Sequence, residues 1–83
     1  MEVTVKLFAS LGKYLPPGAK RNETVMEIAD DVSVDQLITQ LNLPRELTHL
    51  VLINGIFIEP EKREQTTFSP GDEFAVFPPV AGG

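Results

Sequence analysis

The residues Phe77-Pro78-Pro79-Val80-Ala81-Gly82-Gly83 surround the one group in this sequence whose setting suggests chemistry, the terminal carboxylate of Gly83. Pro78 and Pro79 fix φ near the polyproline value and remove two backbone donors, so the chain is expected to stop pairing there and leave as a stiff, extended segment. The side chains then shrink. Gly82 and Gly83 carry no Cβ, so they pass where no other residue fits and can bring a carboxylate deep into a partner. A carboxylate at neutral pH is a poor electrophile, and activation must come from another molecule.

Other chemistry is thinly supplied. The chain has no cysteine, which excludes disulfides, thiolate metal sites and cysteine nucleophiles together. Any sulfur it handles is not held on a side chain. His49 is the only histidine and has no serine or cysteine pattern beside it, so it reads as a surface residue. Asp30-Asp31 lie ahead of a helix start and read as solvated acids favourable to its dipole rather than as metal ligands. Glu59, Glu61, Lys62, Arg63 and Glu64 read as a solvated loop, and Tyr14, Pro16 and Pro17 as packing and turn residues. There is no G-x-x-x-x-G-K-[ST] or G-x-G-x-x-G run, so ATP or a dinucleotide would bind another chain. With no nucleophile and base in view, an independent enzyme is not expected, nor are a metal or a bound cofactor.

Composition narrows the partners. The 83 residues make one domain, and 42% apolar with 23% charged residues fits a globular core. A net charge of −5 argues against nucleic acid and for a partner with a basic face. No run approaches the ~20 apolar residues of a membrane span, and Met1 leads straight into strand-like sequence, so a soluble, cytoplasmic protein without a membrane partner is expected.

The elements that must position the tail follow from periodicity. Val3, Val5 and Leu7 alternate with Thr4, Lys6 and Phe8, which predicts a strand with Phe8 on the face away from the core. Ser10–Leu15 reads as a helical turn ended by Pro16-Pro17-Gly18, Lys20–Glu23 as a solvated loop, and Thr24–Ala29 as a second strand antiparallel to the first. Ser33 and Gln36 form a capping-box pattern ahead of a helix whose apolar stripe is Val34, Leu37, Ile38 and Leu41, stopping near Asn42. Asn54-Gly55 specifies a type I′ hairpin that pairs Ile53 with Ile56, Leu52 with Phe57 and Val51 with Ile58. Val51, Ile53, Ile56 and Ile58 then share the core face. Pro70-Gly71 suits a type II turn before a last strand, Glu73–Phe77, with Phe74 and Val76 on one face and Ala75 and Phe77 on the other.

This order predicts an α+β fold of the ubiquitin-like β-grasp type, a mixed sheet with one main helix packed across one face. Residues 1–77 form the domain and 78–83 the extended tail. Because one helix covers one face only, Phe8, Leu52, Phe57 and Phe77 are expected to form an apolar patch on the other, next to the tail, where a partner would dock. The alternative is that a one-residue slip in register, or the 59–68 loop, buries them.

The chain resembles the sulfur-carrier family of ubiquitin-like proteins (MoaD/ThiS-like), and within it the small subunits of molybdopterin synthase. The resemblance rests on Val5-Lys6-Leu7-Phe8-Ala9, Ile53-Asn54-Gly55, Pro70-Gly71-Asp72-Glu73 and above all the 77–83 tail. Thiamin-pathway carriers share the fold and the Gly-Gly end but lack the Phe-Pro-Pro tail, and the loop at 16–23 departs from the most compact members. The resemblance implies that an ATP-dependent, ubiquitin-activating-type enzyme adenylates Gly83 and that sulfur from a donor protein replaces AMP. The resulting Gly83 thiocarboxylate would enter the large synthase subunit, where two transfers build the dithiolene of the molybdenum or tungsten cofactor. Pro78 and Pro79 would set the exit direction, Val80, Ala81 and Gly82 would thread the passage, and Phe8, Phe57 and Phe77 match positions used for docking. The alternatives are a protein modifier joined to lysines through the same activated terminus, a carrier for another pathway such as thiamin synthesis or tRNA thiolation, and a plain docking module.

Overall fold

The computed structural model describes residues 1–79. Five strands, β1 (Glu2–Leu7), β2 (Glu23–Glu27), β3 (Leu50–Ile53), β4 (Ile56–Phe57) and β5 (Glu73–Phe77), form one sheet in the order β2-β1-β5-β3-β4. β1 runs parallel to β5 while the other pairs are antiparallel, so the sheet is mixed. The helix α1 (Val34–Gln40) supplies the second layer. This is the ubiquitin-like β-grasp arrangement.

One face of the sheet is the core face. Val3, Val5 and Leu7 of β1, Val51 and Ile53 of β3, and Phe74 and Val76 of β5 are buried with Val34, Leu37, Ile38 and Leu41 of the helical stripe. Phe68 meets Phe74 edge-on at 5.5 Å between ring centres, a geometry that aromatic pairs favour. α1 starts where the capping box places it: the Gln36 N–H donates to Ser33 Oγ (3.1 Å) and the Ser33 N–H donates to Gln36 Oε1 (2.9 Å). It ends as Asn42 turns to a left-handed φ of 59° ahead of Pro44.

Both designated turns form. Asn54 and Gly55 take φ of 52° and 81°, and Gly71 takes 84° with the Asp72 N–H returning to the Ser69 carbonyl (3.1 Å). Three points differ from the sequence reading. Lys20–Glu23 is a tight two-residue turn rather than an open loop: Arg21 and Asn22 have φ of 52° and 64°, and Lys20 and Glu23 exchange both backbone hydrogen bonds. β2 therefore begins at Glu23, one residue earlier, and ends at Glu27, beyond which the Ile28 N–H donates to the Met1 carbonyl (2.8 Å) and the Met1 ammonium to the Ile28 carbonyl (2.8 Å). The predicted turn at Ser10–Leu15 is a 3-10 helix over Ala9–Tyr14, with Leu11 wholly buried. Ile56 is the third difference. It pairs with Ile53 as expected, yet it is 68% exposed, since β4 is a two-residue edge strand.

The cap is a direct test of how the helix is started. Ser33→Ala removes the acceptor for the Gln36 N–H and should lower unfolding stability by about 1 kcal/mol, read as a lower urea midpoint at unchanged m-value.

Candidate functional site

The end of β5 and the sheet face turned away from α1 meet at the candidate site. Parallel pairing aligns Lys6 with Ala75 and Leu7 with Val76, so Phe8 and Phe77 come side by side at the next step. Their rings stack, with centres 4.1 Å apart and planes 3° from parallel. The Phe8 N–H donates to the Val76 carbonyl (3.1 Å), which holds the pair beyond the end of β1. Across β5, Phe77 faces Leu50 and Ala75 faces Leu52; Leu52 in turn faces Phe57. Residues directly opposite in a ladder share a face. Phe8, Phe77, Leu50, Leu52 and Phe57 thus form one apolar surface, with Phe57 46% and Leu50 40% exposed.

The loop at 59–68 does not cover this surface. It turns to the helix side, where the Val34 N–H donates to the Thr66 carbonyl (2.8 Å) and the Asp35 N–H to the Arg63 carbonyl (3.0 Å). Leu50 was absent from the patch expected from sequence. Its spacing of two from Leu52 carries the signal, but a register opposite Phe77 is needed to use it.

The tail leaves directly from this surface. Pro78 is buried and Pro79 exposed. The expected site residues Val80, Ala81, Gly82 and Gly83 lie outside the described residues. Asn54 braces the other end of β5: its side chain donates to Asp72 Oδ1 (2.9 Å) and accepts from the Glu73 N–H (2.9 Å). Sequence reasoning saw Asn54 only as a turn former.

Arg63 corrects the reading of 59–64 as a solvated loop. It is 6% exposed, and its guanidinium donates to the Ile58 carbonyl (3.2 Å) and the Thr48 carbonyl (3.0 Å). Burial pushes its pKa below the ordinary arginine value, and neighbouring Arg45 pushes the same way, while Asp35 and Glu61 oppose. The side chain ties the loop to the segment before β3. His49 is exposed, and Asp30 lies beside the Met1 ammonium at 3.4 Å. Among the described residues no group of His, Asp or Glu could hold a metal ion, and no helix is long and apolar enough to cross a membrane.

A family model described as the ThiS family matches residues 5–83. The chain belongs to the ThiS family. That places it among the ubiquitin-like sulfur carriers, whose fold it shares. Solved structures similar to this ThiS-family chain include three that match over the whole of both chains. They are SAMP1 from Haloferax volcanii (26% identity, TM-score 0.66), the thiamine biosynthesis protein ThiS from Geobacter metallireducens (22%, 0.68), and a chain of the complex of subunits 1 and 2 of molybdopterin-converting factor from Helicobacter pylori (22%, 0.60). No curated protein matches it in sequence.

The strut at Arg63 separates packing from charge. Arg63→Ala leaves the Ile58 and Thr48 carbonyls without this donor and should cost on the order of 1–3 kcal/mol. Arg63→Met keeps apolar volume and removes the buried charge, so it should cost less. Chemical denaturation of both variants checks the order.

Proposed function

We propose that this ThiS-family protein is a sulfur carrier whose Gly83 carboxylate is adenylated and converted to a thiocarboxylate, and that it donates the sulfur in molybdopterin synthesis as a synthase small subunit. The observation that carries this reading is the apolar surface at the foot of the Pro78–Gly83 tail, in a chain that belongs to the ThiS family. A Gly83 oxygen would attack the α-phosphorus of ATP held by a separate activating enzyme, forming a mixed anhydride and releasing pyrophosphate. A hydrosulfide equivalent from a donor protein would then add to the Gly83 carbonyl and expel AMP. The carried sulfur is therefore on the main chain, in keeping with the absence of cysteine.

The residues of this chain would position and clear rather than catalyse. Phe8, Leu52, Phe57 and Phe77, joined by Leu50, would seat on the partner. Pro78 and Pro79 would aim the tail, and Val80, Ala81, Gly82 and Gly83 would thread a passage that larger side chains could not enter. The large synthase subunit would receive the same tail. Support for the molybdopterin branch comes from the Phe77-Pro78-Pro79 sequence and from the full-length likeness to the Helicobacter pylori chain, whose structure is a complex with its second subunit. A second reading, a protein modifier joined to lysines, is favoured by the likeness to SAMP1, a small archaeal modifier. Both begin with the same adenylate. ATP is consumed by the activating enzyme, and this chain is expected to bind no cofactor.

Intact mass spectrometry of the protein incubated with activating enzyme, ATP and a sulfide source tests the first step. The wild type should gain ~16 Da, one oxygen replaced by sulfur, and a Gly83 deletion should gain nothing. No gain from a demonstrably active enzyme overturns the reading. A ladder of lysine conjugates in place of sulfur transfer to the large subunit would select the modifier.

A further inference from the structure

Charge is distributed unevenly along the chain, and the fold brings that asymmetry to the tail. Residues 3–22 hold Lys6, Lys13, Lys20 and Arg21 and no Asp or Glu, whereas the chain as a whole has 7 Lys and Arg against 12 Asp and Glu. This basic stretch lies on the β1 side of the end of β5, where Pro78 and Pro79 begin the tail. β1 delivers Phe8 onto Phe77, the Ala9–Tyr14 turn follows at once, and the chain returns at Arg21-Asn22, where the Leu7 N–H donates to the Asn22 carbonyl (2.9 Å). The two turns touch. The Asn22 side chain lies against Gly12, where an added Cβ would meet its Oδ1 at 2.8 Å, so the Arg21-Asn22 turn sits beside the helical turn that carries Lys13.

The cations at this corner are available. Lys13, Lys20 and Arg21 are exposed, and none forms an ion pair among the described residues. Lys13 rests over the Tyr14 ring at 5.4 Å. Lys6 is different, since it pairs with Glu73 at 3.2 Å. At the opposite end of the same sheet face, Glu2 lies across from Glu27, and these two carboxylates with Asp30 outnumber the Met1 ammonium, which pairs with Glu27 at 2.9 Å and Asp30 at 3.4 Å. Six residue steps of extended chain separate Glu2 from Phe8, a distance of about 20 Å. The face that holds the apolar patch therefore has a carboxylate end and, beside the tail, a cationic end.

We infer that Lys13, Lys20 and Arg21 form a cationic collar at the tail's exit, and that the protein partner seated on the apolar patch carries a rim of carboxylates around the passage that receives the tail. The inference rests on the docking reading of the patch and adds the charge the partner must show there. The net charge of −5 still favours a partner that is basic over most of its docking face, and the carboxylate rim is confined to the tail's exit, where the exposed cations gather. A collar of exposed cations matches such a rim, and with acids at the far end it makes docking in the reversed direction unfavourable.

The test compares association with the activating enzyme. The variant K13E/K20E/R21E and the single reversal K13E are measured by stopped flow at about 0.02 and 0.5 M salt, with K62E, on the 59–68 loop, as the charge-matched control for K13E. The milder pair K13Q/K20Q keeps the test valid if the triple variant folds poorly, which circular dichroism reports. The collar predicts a roughly tenfold or greater loss of association rate for the triple variant at low salt, a smaller loss for K13E and for the pair, convergence with wild type at high salt, and little change in the control. An unchanged rate and salt slope in any collar variant overturns the inference, as does a loss in the control equal to that of K13E. The mass gain at Gly83, read on the same wild-type sample, reports separately on the carrier function. Binding that is collar-dependent without that gain removes the carrier reading and leaves the collar standing, and wild type that does not bind removes both.

Discussion

The parallel pairing of β1 with β5 is the constraint on which the rest of the molecule depends. Two parallel neighbours cannot be joined by a tight turn, so the chain between them must cross over, and here that crossover holds every other element. The pairing also sets both ends of the site. It brings Phe8, just past β1, against Phe77, the last residue of β5, and it places Pro78 and Pro79 at the end of the sheet where those rings stack. A shift of one residue in this ladder would reverse the faces of Val3, Val5 and Leu7 and expose the core.

The register is held from both flanks. Val5 and Phe74 meet inside the core, where α1 presses Leu37 and Ile38 towards the same face. At the start of β5, Asn54 accepts from the Glu73 N–H and donates to Asp72, so the β3–β4 turn clamps the strand whose other end carries the tail. Arg63 acts on the helix side. By tying Ile58 and Thr48 it keeps the 59–68 loop over the core, and the opposite sheet face stays open. An open apolar face needs this kind of support, because the same Phe and Leu side chains would otherwise find cover within the chain.

In the proposed function the labour divides between the sheet and the tail, residues 78–83. The sheet supplies a surface whose geometry is set by strand pairing, and the tail supplies a carboxylate on a segment with little side-chain bulk. Activation belongs to a partner in the proposed function, which accounts for a chain rich in docking features and poor in acid–base pairs. The closeness of the Ala9–Tyr14 and Arg21-Asn22 turns shows how a loop without regular structure can still be placed, since it is pinned by Leu7 and by the contact at Gly12.

Much of the fold was legible because it rests on local rules. Period two assigned Val3, Val5, Leu7, Phe74 and Val76 to one face; Ser33 with Gln36 marked the helix start; Asn54-Gly55 and Pro70-Gly71 named their own turns through positive φ. Alternation likewise put Phe8, Leu52, Phe57 and Phe77 on the uncovered face. The sequence by itself thus determined the main elements and most of their faces. Only tertiary structure decided which residues become neighbours. Leu50 joined the patch through its register with Phe77, Ile56 stayed exposed because β4 lies at the sheet's edge, and Arg63 was buried because two carbonyls distant in sequence converge on it. Periodicity is a property of adjacent residues, whereas burial and partnership depend on which segments the folded chain brings together.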